Sequence, residues 1–288
     1  MAKGVGSLLD MSLKSRYLGS RRGVHVYLPP SYRRRQNSRY PVLYLHDGQN
    51  VFSNTDSDST FGWGSWELDR TADALARTGK MREIIMVAVD NSKNRMEEYN
   101  GRRRMPGETS RTAFEDYESF LIEELKPRID REYRTLRDAS KTGAMGSSMG
   151  GLCSLVLAWD HSEVFGCAAC LSTAFGVWRS PKRNMLTAYH GPPKPIRIYI
   201  DSGTVDPSGG DDGCSNTKAA VSELRRIGWT SRNLRWFVDS RIVDQEELQK
   251  SGLSHEKWAE SQKSQHNEFY WRRRAWRAFT FLFPPSEN

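Results

Sequence analysis

Thr142-Gly143-Ala144-Met145-Gly146-Ser147-Ser148-Met149-Gly150-Gly151-Leu152 passes from a short strand signal through a turn of the form G-x-S-x-G into a helix signal. Residues 142–145 read as a buried strand of small side chains, and 152–159 carry Leu152, Leu155, Val156 and Trp159 at the spacing of a buried helix. A serine hydroxyl is a poor nucleophile until a sharp strand-to-helix turn holds it between a base and backbone N–H donors. Glycines on either side let the chain make that turn and pass close to its neighbours. The strand-turn-helix context separates this pentapeptide from a chance Gly/Ser loop, and Ser148 is the candidate nucleophile.

Working outward, 23–28 alternates as a half-exposed strand that stops at Pro29-Pro30. Residues 41–45 and 83–89 are continuous apolar runs, the signature of strands buried on both faces, and the first ends in His46-Asp47-Gly48. A helix fits 66–77, with Gly79 just past its end, and an amphipathic helix fits 114–129, tolerating or kinking at Pro127. Beyond the serine, strands are expected at 165–171, 196–200 and 234–238, with helices at 217–227 and 268–279. Strands alternating with helices predict an α/β fold: a mostly parallel central sheet, joined by right-handed crossovers and covered by helices on both faces.

The 288 residues, 37% of them hydrophobic, fit one enzyme-sized domain spanning 1–288. No 20-residue apolar stretch argues for a membrane span, and 1–19 lack an apolar leader core, so a cytoplasmic location is expected. Four cysteines do not make a disulfide framework, and Cys167 and Cys170, pointing to opposite faces of one strand, read as buried thiols rather than as half a metal site. Lys and Arg number 43 against 35 Asp and Glu, a net charge of +8. The clusters Arg33-Arg34-Arg35, Arg102-Arg103-Arg104 and Arg272-Arg273-Arg274 are scattered and read as solvated surface, not as a nucleic-acid footprint.

In α/β-hydrolases, where such turns carry the nucleophile, the acid and then the histidine follow it in the chain at the C-terminal ends of strands. Four histidines lie beyond Ser148. His161 ends the helix that the serine opens, His190 precedes a strand and so lies at the wrong end of the sheet, and His255 belongs to a polar segment. His266, after the last strand and just before the last helix, is the candidate base. The acid should follow 196–200, where Asp201, Asp206, Asp211 and Asp212 stand. Asp206 is preferred over Asp201, which can simply close a turn, and Asp211-Asp212 between glycines read as a solvated loop. An oxyanion hole would use the Met149 N–H and a second N–H from the turn 46–50.

Together Val26-Tyr27-Leu28-Pro29-Pro30, Tyr40-Pro41-Val42-Leu43-Tyr44-Leu45-His46-Asp47-Gly48-Gln49-Asn50, Glu98-Tyr99, Tyr133-Arg134-Thr135, Gly146-Ser147-Ser148-Met149-Gly150-Gly151 and Gln265-His266-Asn267-Glu268 resemble the esterase D-like family of the α/β-hydrolase superfamily. That family includes enterochelin, feruloyl and acetylxylan esterases. The likeness runs over 24–283 with its blocks in order. It implies the α/β-hydrolase fold, with Ser148 as nucleophile, Asp206 as acid, His266 as base, and Met149 and Gln49 as backbone donors. One feature departs from the family, a long polar stretch at 239–265, and no tandem substrate-binding module, such as members acting on polysaccharides often carry, is expected within these 288 residues.

These readings predict a serine carboxylic-ester hydrolase that forms an acyl-enzyme, with no metal or organic cofactor and a small-molecule ester as partner, not nucleic acid or membrane. Short-chain acyl esters are expected first, with feruloyl, acetyl-sugar or siderophore esters next. Phe61, Trp63, Trp66, Phe175 and Trp178 serve either as an acyl pocket wall or as packing. The segment 239–265 is expected to be a helical, lid-like excursion beside the site, with Ile242, Leu248, Leu253 and Trp258 facing inward. A reading from another class is a non-catalytic binding protein of the same fold.

Overall fold

Residues 5–54, 62–178, 185–206 and 210–285 are described by the computed structural model. Among the described residues, eight strands form one sheet: β1 (Ser7–Lys14), β2 (Arg21–Leu28), β3 (Val42–His46), β4 (Ile85–Val89), β5 (Thr142–Ser147), β6 (Cys167–Leu171), β7 (Arg197–Ser202) and β8 (Leu234–Val238). Their order is β1-β2-β4-β3-β5-β6-β7-β8. The β1–β2 and β2–β4 pairs are antiparallel and every other pair is parallel. This is the expected α/β architecture with the serine-bearing β5 near its centre.

Strands buried on both faces need apolar side chains at every position, which is why the runs around β3 and β4 are continuous. Val42, Tyr44, Ile85 and Val87 join the core on one face, whereas Leu43, Leu45, Met86 and Ala88 join the core on the other. Helices α1 (Leu68–Arg77) and α9 (Glu268–Leu282) cover the second face. The first is covered by α3 (Ala113–Ser119), α5 (Met149–Asp160) and α6 (Cys214–Ile227), following the short α2 (Arg95–Tyr99) in the chain order. Cys167 and Cys170 fall in opposite cores, and all four cysteines are buried free thiols.

Two local outcomes differ from the sequence expectation. The strand β1 carries only a weak alternation on an exposed edge, so no periodic signal announces it. The helix expected at 114–129 is composite: α3, whose Thr112 and Glu115 form a capping box, widens to π-helical geometry at Phe120–Leu125 before α4 (Lys126–Glu132). Pro127 has no N–H to give to the carbonyl four residues back, and the widened turn makes room for its ring. The arginine clusters also divide. Arg33, Arg34 and Arg35 are exposed, Arg102, Arg103 and Arg104 are ion-paired, and Arg274 is buried, against its reading as solvated surface.

The polar segment after β8 folds as α7 (Gln245–Lys250) and α8 (His255–Ser261), the latter capped by the Ser254 hydroxyl. Val243 is buried with Trp63, Phe269 and Tyr270, and Leu253 and Trp258 pack against this group. Ile242 is half-buried, and the Leu248 side chain lies outside the described residues. No helix among the described residues is long and apolar enough to cross a membrane.

Candidate active site

Ser148 stands between β5 and α5 with φ 52° and ψ −120°, a conformation costly for any residue with a Cβ. Neighbouring chains hold it there: its N–H donates to Leu171 O at 2.9 Å, and its carbonyl accepts from Ala174 N–H at 3.1 Å. Close packing dictates Gly146, where a Cβ would lie 2.6 Å from the Gly150 carbonyl carbon. Ser147 is buried, whereas Ser148 is half-buried and opens onto a cavity. Met149, buried, begins α5, and the first N–H groups of a helix have no partner within it.

His266 immediately precedes the N-cap of α9, Asn267, which accepts from Tyr270 N–H. The buried Gln265 beside it anchors the approach, accepting from Thr204 N–H and donating to the carbonyls of Asp239 and Arg241. The imidazole packs edge-on against Trp271, with ring centroids 5.2 Å apart. Its Nδ1–H donates to Asp212 Oδ1 at 2.6 Å.

That contact brings Asp212 to the histidine, not the Asp206 preferred from the sequence. Asp206 accepts from Gly210 N–H at 3.1 Å and helps close its own loop, while Asp212, read as solvated, is fully buried beneath the histidine. The loop leaves β7, and at Asp212 (φ 51°) and Gly213 (φ 74°) two successive left-handed residues turn it into α6. Nothing in a polar, glycine-rich loop reports which carboxylate faces inward. Asp201 is also buried, but it pairs with Arg274 at 3.1 Å. Asp211 stays local, accepting from Ser215 N–H at 2.8 Å.

The turn after β3 supplies the opposite wall. Asp47 takes a left-handed conformation (φ 58°), and its carboxylate accepts from Arg95 Nε at 2.6 Å, Arg95 Nη2 at 2.8 Å and Asn91 Nδ2 at 2.6 Å. This clamp fixes the turn that presents Gln49 to the cavity. Sequence reading missed Arg95, which lies in a short helix without strong periodicity. Ser148, His266 and Gln49 all line one cavity of about 550 Å³, whose lining also includes Trp63, Trp271 and Glu268. Trp66 and Phe175 are packing residues, buried in the two main cores, whereas Phe61 and the Trp178 side chain lie outside the described residues.

The model of the family described as "Putative esterase" matches residues 15–285, nearly the whole chain. The chain belongs to this esterase family. With that membership goes the coarse class, a carboxylic ester hydrolase. Among curated proteins it is 28% identical over 172 residues to an endo-1,4-beta-xylanase/feruloyl esterase of Xylanibacter ruminicola, covering 56% of this chain but only 21% of that much longer protein. It is also 22% identical over 200 residues to the uncharacterized protein YbbA of Bacillus subtilis, covering 67% and 72% of the two chains. Among solved structures, a ferulic acid esterase superposes with a TM-score of 0.68 at 19% identity, covering 97% of this chain and 98% of the other. An enterobactin esterase of Shigella flexneri gives 0.65 at 17% identity, over 97% and 59%. At these identities the structural likeness establishes the α/β-hydrolase fold.

One ionisable group in this cavity is held far from its ordinary state. Glu268 is buried, its Oε1 accepts from Asn50 Nδ2 at 3.1 Å, and burial pushes its pKa from an ordinary 4.5 to about 7. The folded state then holds this proton more tightly than the unfolded chain does. Stability should therefore fall as pH rises between these two values and level off above about 7, by on the order of 3 kcal/mol in total. Glu268→Gln keeps the acceptor and removes the charge. Urea unfolding should show the variant more stable than wild type at pH 8 and equal to it near pH 4; a difference independent of pH would refute the assignment.

Proposed function

We propose that the chain is a serine carboxylic-ester hydrolase that acts through an acyl-enzyme on short-chain acyl esters. The observation that carries this reading is the pairing of Asp212 with His266, whose side chain lines the same cavity as Ser148. With Nδ1 engaged by Asp212, the imidazole has Nε2 left to take the Ser148 proton as the hydroxyl attacks the ester carbonyl. Asp212 holds the tautomer and stabilises the imidazolium. The N–H groups of Met149 and Gln49 hold the oxyanion, His266 returns the proton to the departing alcohol, and water then releases the acid. None of these steps calls for a metal or organic cofactor.

A short acyl group would pack against Trp63 and Trp271 in the cavity lining. A second reading, an aromatic acyl ester, draws on the same two rings and on the feruloyl and ferulic acid esterases to which the chain is similar. Hydrolysis of chromogenic esters across acyl lengths, run beside a feruloyl ester, decides between them. Covalent labelling by a fluorophosphonate should place one adduct on Ser148. Folded protein that takes no label and turns over none of these esters would instead be a binding protein of this fold.

The same proposal gives 239–265 a lid-like role within one domain. Trp63, which lines the cavity, packs in the cluster that holds Val243, and the Lys257 ammonium sits 4.8 Å from its ring centroid. Gln262 Nε2 donates to Val243 O at 3.0 Å, so the ends of the excursion lie close together. Replacing 244–260 by a short Gly/Ser linker should change preference across an acyl-length series more than turnover of an acetyl ester. An unchanged preference would leave the segment without a role in selection.

A further inference from the structure

Beneath His266 lies a second layer of charge that hydrolysis by a serine, a histidine and one carboxylate does not require. Arg274, on α9, is 1% exposed. Its Nε meets Asp201 Oδ1 at 3.1 Å, and its Nη2 donates to Ser172 Oγ at 2.6 Å. The Ser172 hydroxyl donates in turn to Asp212 Oδ2 at 2.7 Å, an oxygen that also accepts from Gly203 N–H and lies 3.8 Å from Arg274 Nη2. Asp201 receives two further donors, Tyr199 OH at 3.0 Å and the Ser172 N–H at 3.4 Å. Burial raises the pKa of Asp201 and Arg274 opposes that rise; the donors that surround the group suit a carboxylate.

We propose that Arg274 is a positioning residue of the proposed triad: it cancels the charge of Asp201, aims Asp212 through Ser172, and leaves a single unmatched negative charge facing His266. Two buried carboxylates and one buried guanidinium sum to −1, so a protonated His266 makes the cluster neutral. Without Arg274 the imidazolium would face two negative charges and hold its proton too tightly to act as a base near neutrality. Without Asp201 it would face none in balance and be stabilised too weakly. Other ionisable groups around the cluster are Tyr199 and Asp239 beside Arg274, and Glu268, Asp47 and Arg95 around the cavity; all are kept in the variants below, so the change of charge at Glu268 near pH 7 is common to every one of them and leaves their differences intact.

The inference rests on the hydrolase reading, and its test separates the two. His266 is titrated by NMR in the full chain, which needs no turnover, and the acidic limb of kcat/KM is measured with an acetyl ester. Arg274→Met should move both midpoints up by about one pH unit, and Asp201→Asn should move both down by a similar amount. The double variant, again at −1, should return to the wild-type midpoint with kcat lowered because Asp212 has lost its guide. A purely structural Arg274 would alter stability without this alternation of sign. Where Arg274→Met does not fold, Asp201→Asn and the double variant still decide, since a pair removed together leaves no uncompensated charge. Midpoints that stay at the wild-type value, or single variants that move the same way, overturn the proposal. Opposite NMR shifts in a chain that hydrolyses no ester would sink the hydrolase reading and leave the charge cluster standing.

Discussion

Ser148→Ala is expected to lower kcat/KM for an acetyl ester by at least about 10³-fold, because a triad acts as a unit and loses most of its effect when one member goes. The fold should survive. Alanine keeps the Cβ and so inherits the strain at φ 52° without adding to it, and the hydrogen bonds that hold this position use only its backbone. Thermal unfolding of the variant should therefore overlay that of the wild type. Ser147 is the control, one residue away and buried at the end of β5. Its alanine variant should retain most activity. An inactive Ser147 variant beside an active Ser148 variant would put the nucleophile on the wrong residue.

Asp212→Asn should cost about 10⁴-fold in kcat, since an amide in that place no longer stabilises the imidazolium and favours the wrong tautomer. Asp206→Asn should leave turnover at the wild-type level, because its carboxylate serves its own loop through Gly210 N–H. The pair of variants, assayed with one ester at one pH, discriminates the carboxylate bonded to His266 from the one that chain order alone suggests. Equal losses in both, or a loss confined to Asp206→Asn, would rule out Asp212 as the acid. Far-ultraviolet circular dichroism checks that each variant is folded, which matters most at Asp212, where three hydrogen bonds converge in the core.

Much of this fold is written in local pattern, because burial acts on every second residue of a strand, or on every residue when both faces are covered, and on every third or fourth of a helix. The runs around β3, β4, β6 and β7 carried that signal, and so did the inward stripe of α9. The elbow is local as well: a strand, a glycine-flanked serine and a helix within one short stretch demand a sharp turn wherever the rest of the chain lies. Position after the last strand is likewise local information; it is what makes His266 the candidate among four histidines, and the fold brings its ring to Asp212.

Tertiary structure decided what pattern does not encode. The choice of Asp212 over Asp206 depends on how an irregular loop folds back under α9, and left-handed backbone at Asp212 and Gly213 settles which side chain turns inward. Arg95 and Arg274 look like ordinary surface charges in the sequence, and nothing there marks Glu268 as buried. Only Arg274 left a trace, at a helical position shared with the buried stripe of Trp271, Ala275, Ala278 and Leu282. Periodicity reports how much water a position sees; which partner a buried charge meets is fixed by groups far apart in the chain, such as Asp201 and Arg274, whose attraction becomes strong only once packing has removed the water between them.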